Sequence, residues 1–317
     1  MIAHFNTPNN ILNTQIFYST SSGSTNQWQV WNKPPNSTFV HITVIGGGGG
    51  GGAGLNGAGG TARTGAAGGG SSSITKGFFP SNYLPDTLFI QVGKGGLGGN
   101  TSGSAGSDGN LSYVSVQPNT TSTNIILRSG TIVARGGGGG GPTGLKTGGA
   151  GGTVFTSSIL SYLGVVDSEV GQKGSDASGN SNGTDISITN ILTGGASGAG
   201  VDSNIGITGA GFNGGDILSL SGFVNTILGG RPSPSTSSTG STGNTYLSTL
   251  PTTNLSNRVP FFSAGGSGGA SGVLGGPGGN ASYGSGGGGG GTTGNATSPL
   301  INKGGDGGDG IVIITFL

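Results

Sequence analysis

Residues 44–52 read VIGGGGGGG, a strand-like pair followed by seven consecutive glycines. Glycine has no side chain to bury, and it loses more conformational entropy on ordering than any other residue. An ordered chain that contains such a tract must therefore gain a contact that only glycine allows. That contact is the close approach of one backbone to another, because no Cβ keeps the two apart. The tract thus predicts a structure built from packed backbone.

Two more glycine tracts follow, at residues 136–141 and 286–291. Polyproline II segments have about three residues per turn, rise about 3.1 Å per residue and point their backbone amides outward. Without side chains, such segments can lie side by side and hydrogen-bond to one another. We therefore predict a packed bundle of polyglycine II rods. Its structural glycines are Gly46, Gly49, Gly52, Gly136, Gly139, Gly141, Gly286, Gly289 and Gly291.

The composition argues against several other classes of protein. Glycine contributes 78 of the 317 residues, whereas its average usage is about 7%. Collagen needs glycine at every third position and about 15–20% proline, but this chain has 13 prolines and keeps no strict triplet. The formal net charge is +1 and the 11 basic residues are scattered, so we expect no nucleic-acid partner. Because the chain has no cysteine, neither disulfides nor thiolate metal sites hold it together.

The chain also lacks the signals of membrane targeting. Its first residues, MIAHFN, have neither the basic region nor the continuous apolar core of a signal peptide. No apolar run is long enough to span a bilayer, so we expect no membrane insertion. If the protein works outside a cell, we expect it to leave as part of a particle or after lysis.

Strand-like runs at both ends of the chain predict an all-β fold. Residues 1–45 contain three runs rich in aromatic and β-branched residues, and residues 311–317 read IVIITFL. We expect this last run to be a strand that closes the N-terminal sheet. The predicted fold is a β-sandwich or jelly-roll-like sheet built from both chain ends and joined to the polyglycine II bundle.

The composition changes along the chain and divides it into four regions. Residues 153–262 are poor in glycine. Within them, residues 154–166 favour a short helix and residues 201–262 indicate an inserted, loop-rich segment. The regions are N-terminal strands at 1–45, a glycine-rich strand and polyglycine II region at 46–152, a Ser/Thr/Asn-rich loop region at 153–262, and a glycine-rich region with the closing strand at 263–317.

No catalytic or nucleotide-binding pattern is visible. G-x-G-x-x-G recurs, but a phosphate loop needs a following helix, and no helix pattern follows any tract. The ten acidic residues are dispersed, without a Ser-His-Asp set or a carboxylate pair. Residues 304–312 match one copy of a calcium-binding nonapeptide, with Asp309 at the ligand position and Asp306 near it. Such repeats share each ion with a neighbour, so turn capping is the favoured role for these aspartates. We expect no cofactor and no enzymatic activity.

Aromatic residues in and beside the loop-rich segment are the candidate receptor-binding residues. Exposed aromatics among small polar residues give a binding surface contact area at low entropy cost. The alternative is that these side chains anchor a small core. The candidates are Phe212, Phe223, Tyr246, Phe261 and Phe262.

The order of the segments resembles a known group of proteins. WNKP at residues 31–34 leads into a strand and the first tract, LFIQVGKGG follows at 88–96, and GGDGIVI closes the chain at 307–313. This resembles the glycine-rich domains of bacteriophage tail fibres and tail-tip adhesins and of other viral surface proteins. It is similar to phage adhesins in which a polyglycine II sandwich carries variable receptor-binding loops. The glycine-poor residues 153–260 depart from that pattern.

The resemblance implies a virion structural protein, a tail-fibre or tail-tip adhesin that attaches the particle to its host. Its partners would be other fibre or tail proteins and a polysaccharide or outer-membrane protein of the host surface. It would lie on the virion surface, outside the cell, and a homo-oligomer is compatible with this reading. Two alternatives stay open. One is a non-adhesive structural protein, such as a capsid decoration or an extracellular filament subunit. The other is an ice-binding protein, which would need a regular Gly-x-x repeat that this chain lacks.

Overall fold

The computed structural model describes residues 13–22, 25–57, 63–130, 136–137, 147–155, 164–177, 194–195, 230, 245–247, 261–263, 265–269, 275–293 and 302–317. This described part is all-β. It contains antiparallel sheets and no α-helix, and its one short helical turn is a 3-10 turn at Ser81–Tyr83.

The strands follow the runs of β-branched and aromatic residues, which fit a pleated and half-buried surface. In chain order they are β1 (Asn13–Tyr18), β2 (Ser21–Ser22), β3 (Thr25–Asn26), β4 (Trp28–Asn32), β5 (Phe39–Ile45), β6 (Ile74–Pro80), β7 (Thr87–Gln91), β8 (Tyr113–Ser115), β9 (Ile125–Arg128), β10 (Val165–Glu169), β11 (Thr245–Leu247), β12 (Phe261–Ser263) and β13 (Ile311–Phe316).

The larger sheet has the strand order β1-β13-β5-β6-β10, and every neighbouring pair is antiparallel. The C-terminal strand β13 lies between β1 and β5, where Ile311 pairs with Tyr18 on one side and Ile45 on the other. The prediction that the last run closes the N-terminal sheet is therefore confirmed. The first and last described strands are therefore neighbours in this sheet.

The smaller main sheet has the order β4-β7-β8-β9 and is also antiparallel, with a bulge between Val114 and Ser115. Two further pairs, β2 with β3 and β11 with β12, form separate two-stranded sheets.

One hydrophobic core joins the two main sheets. Along β5, Val40, Ile42 and Val44 are buried in alternation, as a strand with one face on a core requires. The same cluster contains Trp31 of β4 and Leu88 of β7, both fully buried. Each buried aliphatic side chain of this size contributes about 1.5–3 kcal/mol to stability relative to exposure. A smaller cluster covers the opposite face of the larger sheet: Ile16, Ile45, Ile74, Ile311 and Ile313.

The helix predicted for residues 154–166 is wrong where the structure describes it. Residues 151–155 carry no regular secondary structure, and Val165 and Val166 begin strand β10. These two β-branched residues pair with Phe78 and Gly77 of β6, so an available sheet edge takes them as a strand. Residues 156–163 of the predicted helix lie outside the described residues.

Two predictions were more specific than the all-β fold class, namely the jelly-roll topology and the bundle of polyglycine II helices. The jelly-roll topology is not confirmed, and no helix bundle is seen, because the described glycine-rich segments are assigned neither helix nor strand. The division of the chain into four regions stays a prediction.

The glycine-rich segments continue directly from neighbouring strands. Residues 46–54 follow β5, residues 65–73 precede β6, and residues 302–310 precede β13. Because β13, β5 and β6 are adjacent in the larger sheet, these three segments leave the same end of it side by side.

Candidate functional site

The glycine network is the hydrogen-bonded backbone of segments 46–54, 65–73, 93–110, 285–291 and 302–310. Its central segment is 46–54, in which every residue is buried. The amides of this segment donate to three different neighbours in strict rotation. Residues 47, 50 and 53 donate to 110, 107 and 104; residues 48, 51 and 54 donate to 308, 305 and 302; and residues 49 and 52 donate to 70 and 67, all at 2.8–3.0 Å.

The carbonyls of the central segment accept hydrogen bonds from three other neighbours with the same spacing. Those of residues 48, 51 and 54 accept from 96, 99 and 103; those of 49 and 52 accept from 287 and 290; and that of 50 accepts from 136, at 2.8–3.0 Å. The central segment is thus bonded to backbone on all sides. Its hydrogen-bonding period is three residues, whereas that of the preceding strand is two.

The network excludes side chains by contact with backbone. A Cβ on Gly51 would overlap the carbonyl of Gly288, and a Cβ on Gly48 would overlap that of Ser285. Both obstacles are main-chain atoms that cannot rotate away. Methyl groups are accommodated at Ala53 and Ala67, which are fully buried. Glycine is therefore required by the packing at most central positions.

Of the predicted structural glycines, six lie in the network segments and Gly136 donates to them, whereas Gly139 and Gly141 lie outside the described residues. Five of them donate through their amides: Gly46 to Ser72 Oγ, Gly49 to Gly70 O, Gly52 to Ala67 O, Gly136 to Gly50 O and Gly291 to Gly276 O. The carbonyls of Gly286 and Gly289 accept from the amides of Gly266 and Gly269.

Four buried serines, the junction serines Ser72, Ser73, Ser112 and Ser129, lie where the sheets meet the network. The change from a two-residue to a three-residue period leaves backbone groups without a strand partner, and these hydroxyls bond to them. The amides of Gly46, Gly93 and Gly130 donate to Ser72, Ser112 and Ser73 Oγ at 2.7–2.9 Å. Sequence reasoning missed these residues, because a serine beside glycine is indistinguishable from an ordinary loop serine.

The aspartates of the nonapeptide match bond to the network. Asp309 Oδ1 accepts from the amide of Gly95 at 2.8 Å, and Asp306 Oδ1 accepts from that of Gly98 at 2.7 Å. Turn capping before the final strand was the favoured role for these aspartates, but the amides from which they accept belong to a distant segment and not to a local turn. No group of three or more candidate metal ligands occurs among the described residues.

A third aspartate acts in the same way. Asp176 Oδ1 accepts from the amide of Gly148 at 2.7 Å and its carboxylate pairs with Lys173. Burial raises the pKa of Asp176, but the hydrogen bonds from Lys173 and Gly148 and the Lys173 charge outweigh it, so the pKa lies below its ordinary value.

The candidate receptor-binding aromatics fall into two groups. Tyr246 lies on β11, and Phe261 and Phe262 lie on β12; Tyr246 pairs with Phe262 across this two-stranded antiparallel sheet. The structure therefore brings these three residues together at the level of the backbone. Phe212 and Phe223 lie outside the described residues.

The anchoring of the loop-rich segment is described at both of its sides. Before it, the amide of Gly195 donates to Gly69 O at 2.9 Å; after it, the amide of Gly266 donates to Gly286 O at 3.0 Å. Described residues on both sides of 201–262 are thus bonded to the glycine network.

Comparison of the sequence with known proteins assigns the chain to a family. None of the described residues forms a helix with the length and hydropathy of a membrane span. A comparison with curated proteins gives no match. A family model described as a glycine-rich domain matches residues 20–317, which is nearly the whole chain. The chain therefore belongs to the glycine-rich domain family.

Proposed function

We propose that the glycine network is a polyglycine II lattice that serves as the rigid body of a surface-attachment protein. The three-residue rotation of hydrogen bonds along residues 46–54 supports the lattice, because three residues per turn is the period of this helix. A rod with that symmetry points successive amides and carbonyls in different directions around its axis. It can therefore bond to neighbours on every side, as a strand cannot.

The lattice gives the protein rigidity by a different route from a hydrophobic core. Ordering glycine costs about 1–2 kcal/mol of backbone entropy per residue, and burial of apolar side chains is not available to offset it. What offsets it is the backbone hydrogen bonds of 2.8–3.0 Å along the central segment, with main-chain atoms in van der Waals contact around it. Such a body has few soft degrees of freedom and holds attached segments in fixed places.

The observation that carries the functional proposal is the anchoring of the loop-rich segment. Gly195 and Gly266, on either side of residues 201–262, are both bonded to the buried backbone of the network. A long inserted segment with both ends fixed on a rigid base is the arrangement in which binding residues are typically displayed. We propose that residues 201–262 contact the receptor, with Phe212, Phe223, Tyr246, Phe261 and Phe262 as the contact residues.

We propose that this protein is part of a virus particle. The proposed protein is a tail-fibre or tail-tip adhesin on the virion surface, with other fibre or tail proteins as structural partners. Its target would be a polysaccharide or outer-membrane protein of the host surface. The proposal requires no catalysis and no cofactor. A homo-oligomer is compatible with it.

Immunogold electron microscopy with an antibody against this chain tests the location. Gold at the ends of fibres or tails would support the adhesin. Gold over a capsid or along a filament would contradict it and support the non-adhesive alternative, in which the lattice is simply a protective or connecting material.

Cell binding by the purified chain tests the receptor-binding segment. The parent chain should bind host cells and should not bind cells that lack the receptor. Phe223→Ser should reduce binding at least about tenfold if its ring is a central contact. Tyr83→Ser is the matched control, because Tyr83 is an aromatic residue 56% exposed on the described surface outside this segment. Equal loss in both variants would contradict the assignment.

A further inference from the structure

An open cleft of about 440 Å³ lies where three segments of the glycine-rich backbone meet. Its volume is in the range of small-molecule sites, about 300–1,000 Å³. Unlike the rest of the network, the cleft is lined by side chains of mixed chemistry. They are Leu97, Asn100, Pro277, Asn280, Lys303 and Asp306.

In two of these side chains, one atom accepts a hydrogen bond from a backbone amide and a second polar atom is left to bind a ligand. Asp306 Oδ1 accepts from the amide of Gly98 at 2.7 Å, which leaves Oδ2 as an acceptor. Asn280 Oδ1 accepts from the amide of Asp306 at 2.8 Å, which leaves its Nδ2 group as a donor. An acceptor and a donor are thus held in place before any ligand arrives, so binding loses little side-chain entropy.

The remaining lining supplies more donors and an apolar wall. Lys303 and Asn100 are exposed and contribute an ammonium and a carboxamide. The Lys303 backbone is held, because its carbonyl accepts from the amide of Gly278 at 2.8 Å. Leu97 is 61% exposed, and together with Pro277 it offers an uncharged, rigid surface beside the polar groups.

We propose that this cleft binds one ring of a neutral saccharide. Ring hydroxyls both donate and accept, so they match a set that contains a carboxylate oxygen, two carboxamides and an ammonium. The C–H face of the ring would lie on Leu97 and Pro277. One negative and one positive side chain line the cleft, so it carries no net charge that would select an acidic or basic ligand.

This inference goes beyond the attachment proposal, because the cleft lies outside residues 201–262 and contains none of the candidate aromatics. It would hold equally for an adhesin and for a non-adhesive coat protein. Its failure would also leave the immunogold result unaffected, so the two proposals fail separately.

Saturation-transfer difference NMR on the full chain tests the cleft, with the methyl glycosides of glucose, galactose, mannose and N-acetylglucosamine as probes. We expect at least one probe to bind with a Kd of about 1 mM. The key variant is Asp306→Asn. Its Oδ1 can still accept from Gly98, so the backbone contact is kept, but the free acceptor becomes a donor. Binding should weaken about tenfold.

Asp309→Asn is the matched control. Asp309 makes the equivalent bond, to the amide of Gly95, but does not line the cleft. It should bind the probe as the parent does. Asn100→Ala is a second test that touches no backbone contact of the network, and it too should weaken binding.

The proposal is overturned if no probe binds at about 10 mM, or if methyl glucuronide binds more tightly than every neutral probe. It is also overturned if binding survives both Asp306→Asn and Asn100→Ala, or if Asp309→Asn weakens it as much as Asp306→Asn does. Selective loss in the cleft variants supports it.

Discussion

The hydroxyl of Ser112 donates a 2.7 Å hydrogen bond to the carbonyl of Ile45, the last strand residue before the first glycine tract. The same oxygen accepts from the amide of Gly93 at 2.8 Å, so it joins the two main sheets at the point where each passes into glycine-rich backbone. Ser112 is fully buried. The Ser112 hydroxyl thus provides hydrogen bonds to one buried backbone carbonyl, that of Ile45, and one buried backbone amide, that of Gly93.

We expect Ser112→Ala to destabilise the fold by about 1–3 kcal/mol, the cost of leaving a buried backbone donor unsatisfied. Chemical denaturation measures the change. Ser104→Ala is the control, because Ser104 Oγ also bonds to one backbone amide and one backbone carbonyl, both of Thr101, but at the exposed surface. If the two variants unfold at the same denaturant concentration, the junction serines have no special role.

We expect Gly51→Ala to lower stability by about 1–3 kcal/mol and Gly51→Val to lower it further, because the added atoms meet the carbonyl of Gly288. Thermal unfolding followed by circular dichroism measures the effect. Ala105→Val is the control in a neighbouring network segment, where the side chain is exposed. Melting of the Gly51 variants at the parent temperature would show that the backbone can separate without cost.

The strands at the two ends of the chain were predicted from the sequence, but β6 was not, and β10, β11 and β12 lie where a helix or loops were expected. The sequence of β6, ITKGFFP, contains a glycine and ends in proline, and both are depleted in strands. The structure gives the reason for Gly77: the Phe79 ring and the Leu127 side chain occupy the space of a Cβ there, at 2.5 and 2.7 Å. The glycine makes room for a core aromatic on its own strand. No local sequence pattern predicts that a glycine is needed at this position of the strand.

The glycine tracts were recognisable as packed backbone, but their partners were not. A tract without side chains presents the same surface at every register, so nothing in residues 46–52 specifies bonding to 305 rather than 304. The register is fixed elsewhere. Because β5 pairs with β13 and β6 through specific side chains, the segments that continue from these strands are already aligned when they meet. The side chains of the sheet thus set the register of the glycine network.

The ion pair between Lys76 of β6 and Glu169 of β10 should stabilise the edge of the larger sheet. The Nζ and Oε1 atoms are 2.6 Å apart, and the side chains are only 21% and 24% exposed. The other carboxylate oxygen, Oε2, is buried without a hydrogen bond. Lys76→Met would leave this half-buried charge unpaired, which costs more than the pair itself contributes.

We therefore expect Lys76→Met to destabilise by at least about 1 kcal/mol, and the double variant Lys76→Met/Glu169→Leu to recover most of that loss. Denaturant unfolding of both variants measures this. Lys173→Met tests an exposed pair, with Asp176, and should change stability by about 0–1 kcal/mol. A double variant no more stable than Lys76→Met would contradict the argument.

Alkaline pH should weaken the fold through Tyr283. Burial raises the pKa of Tyr283, and the neighbouring Tyr18 and Asp309 raise it further. Because the pKa in the folded state lies above the unfolded value of about 10, the contribution to stability is fully present below that pH. It is lost as the pH rises through the folded value. Tyr283→Phe should reduce the fall in stability above about pH 10, and an unchanged fall in this variant would contradict the argument.

Hydrogen exchange should find the most protected amides in a segment with no assigned secondary structure. Residues 47–54 are buried, and each amide donates at 2.8–3.0 Å to another segment. Exchange there requires the network to separate, so its free energy should approach that of global unfolding. Residues 100–102, which are exposed, are the internal comparison. Exchange measured by NMR should be slower at 47–54 by several orders of magnitude; equal rates would mean that the glycine network opens locally and cannot act as a rigid base.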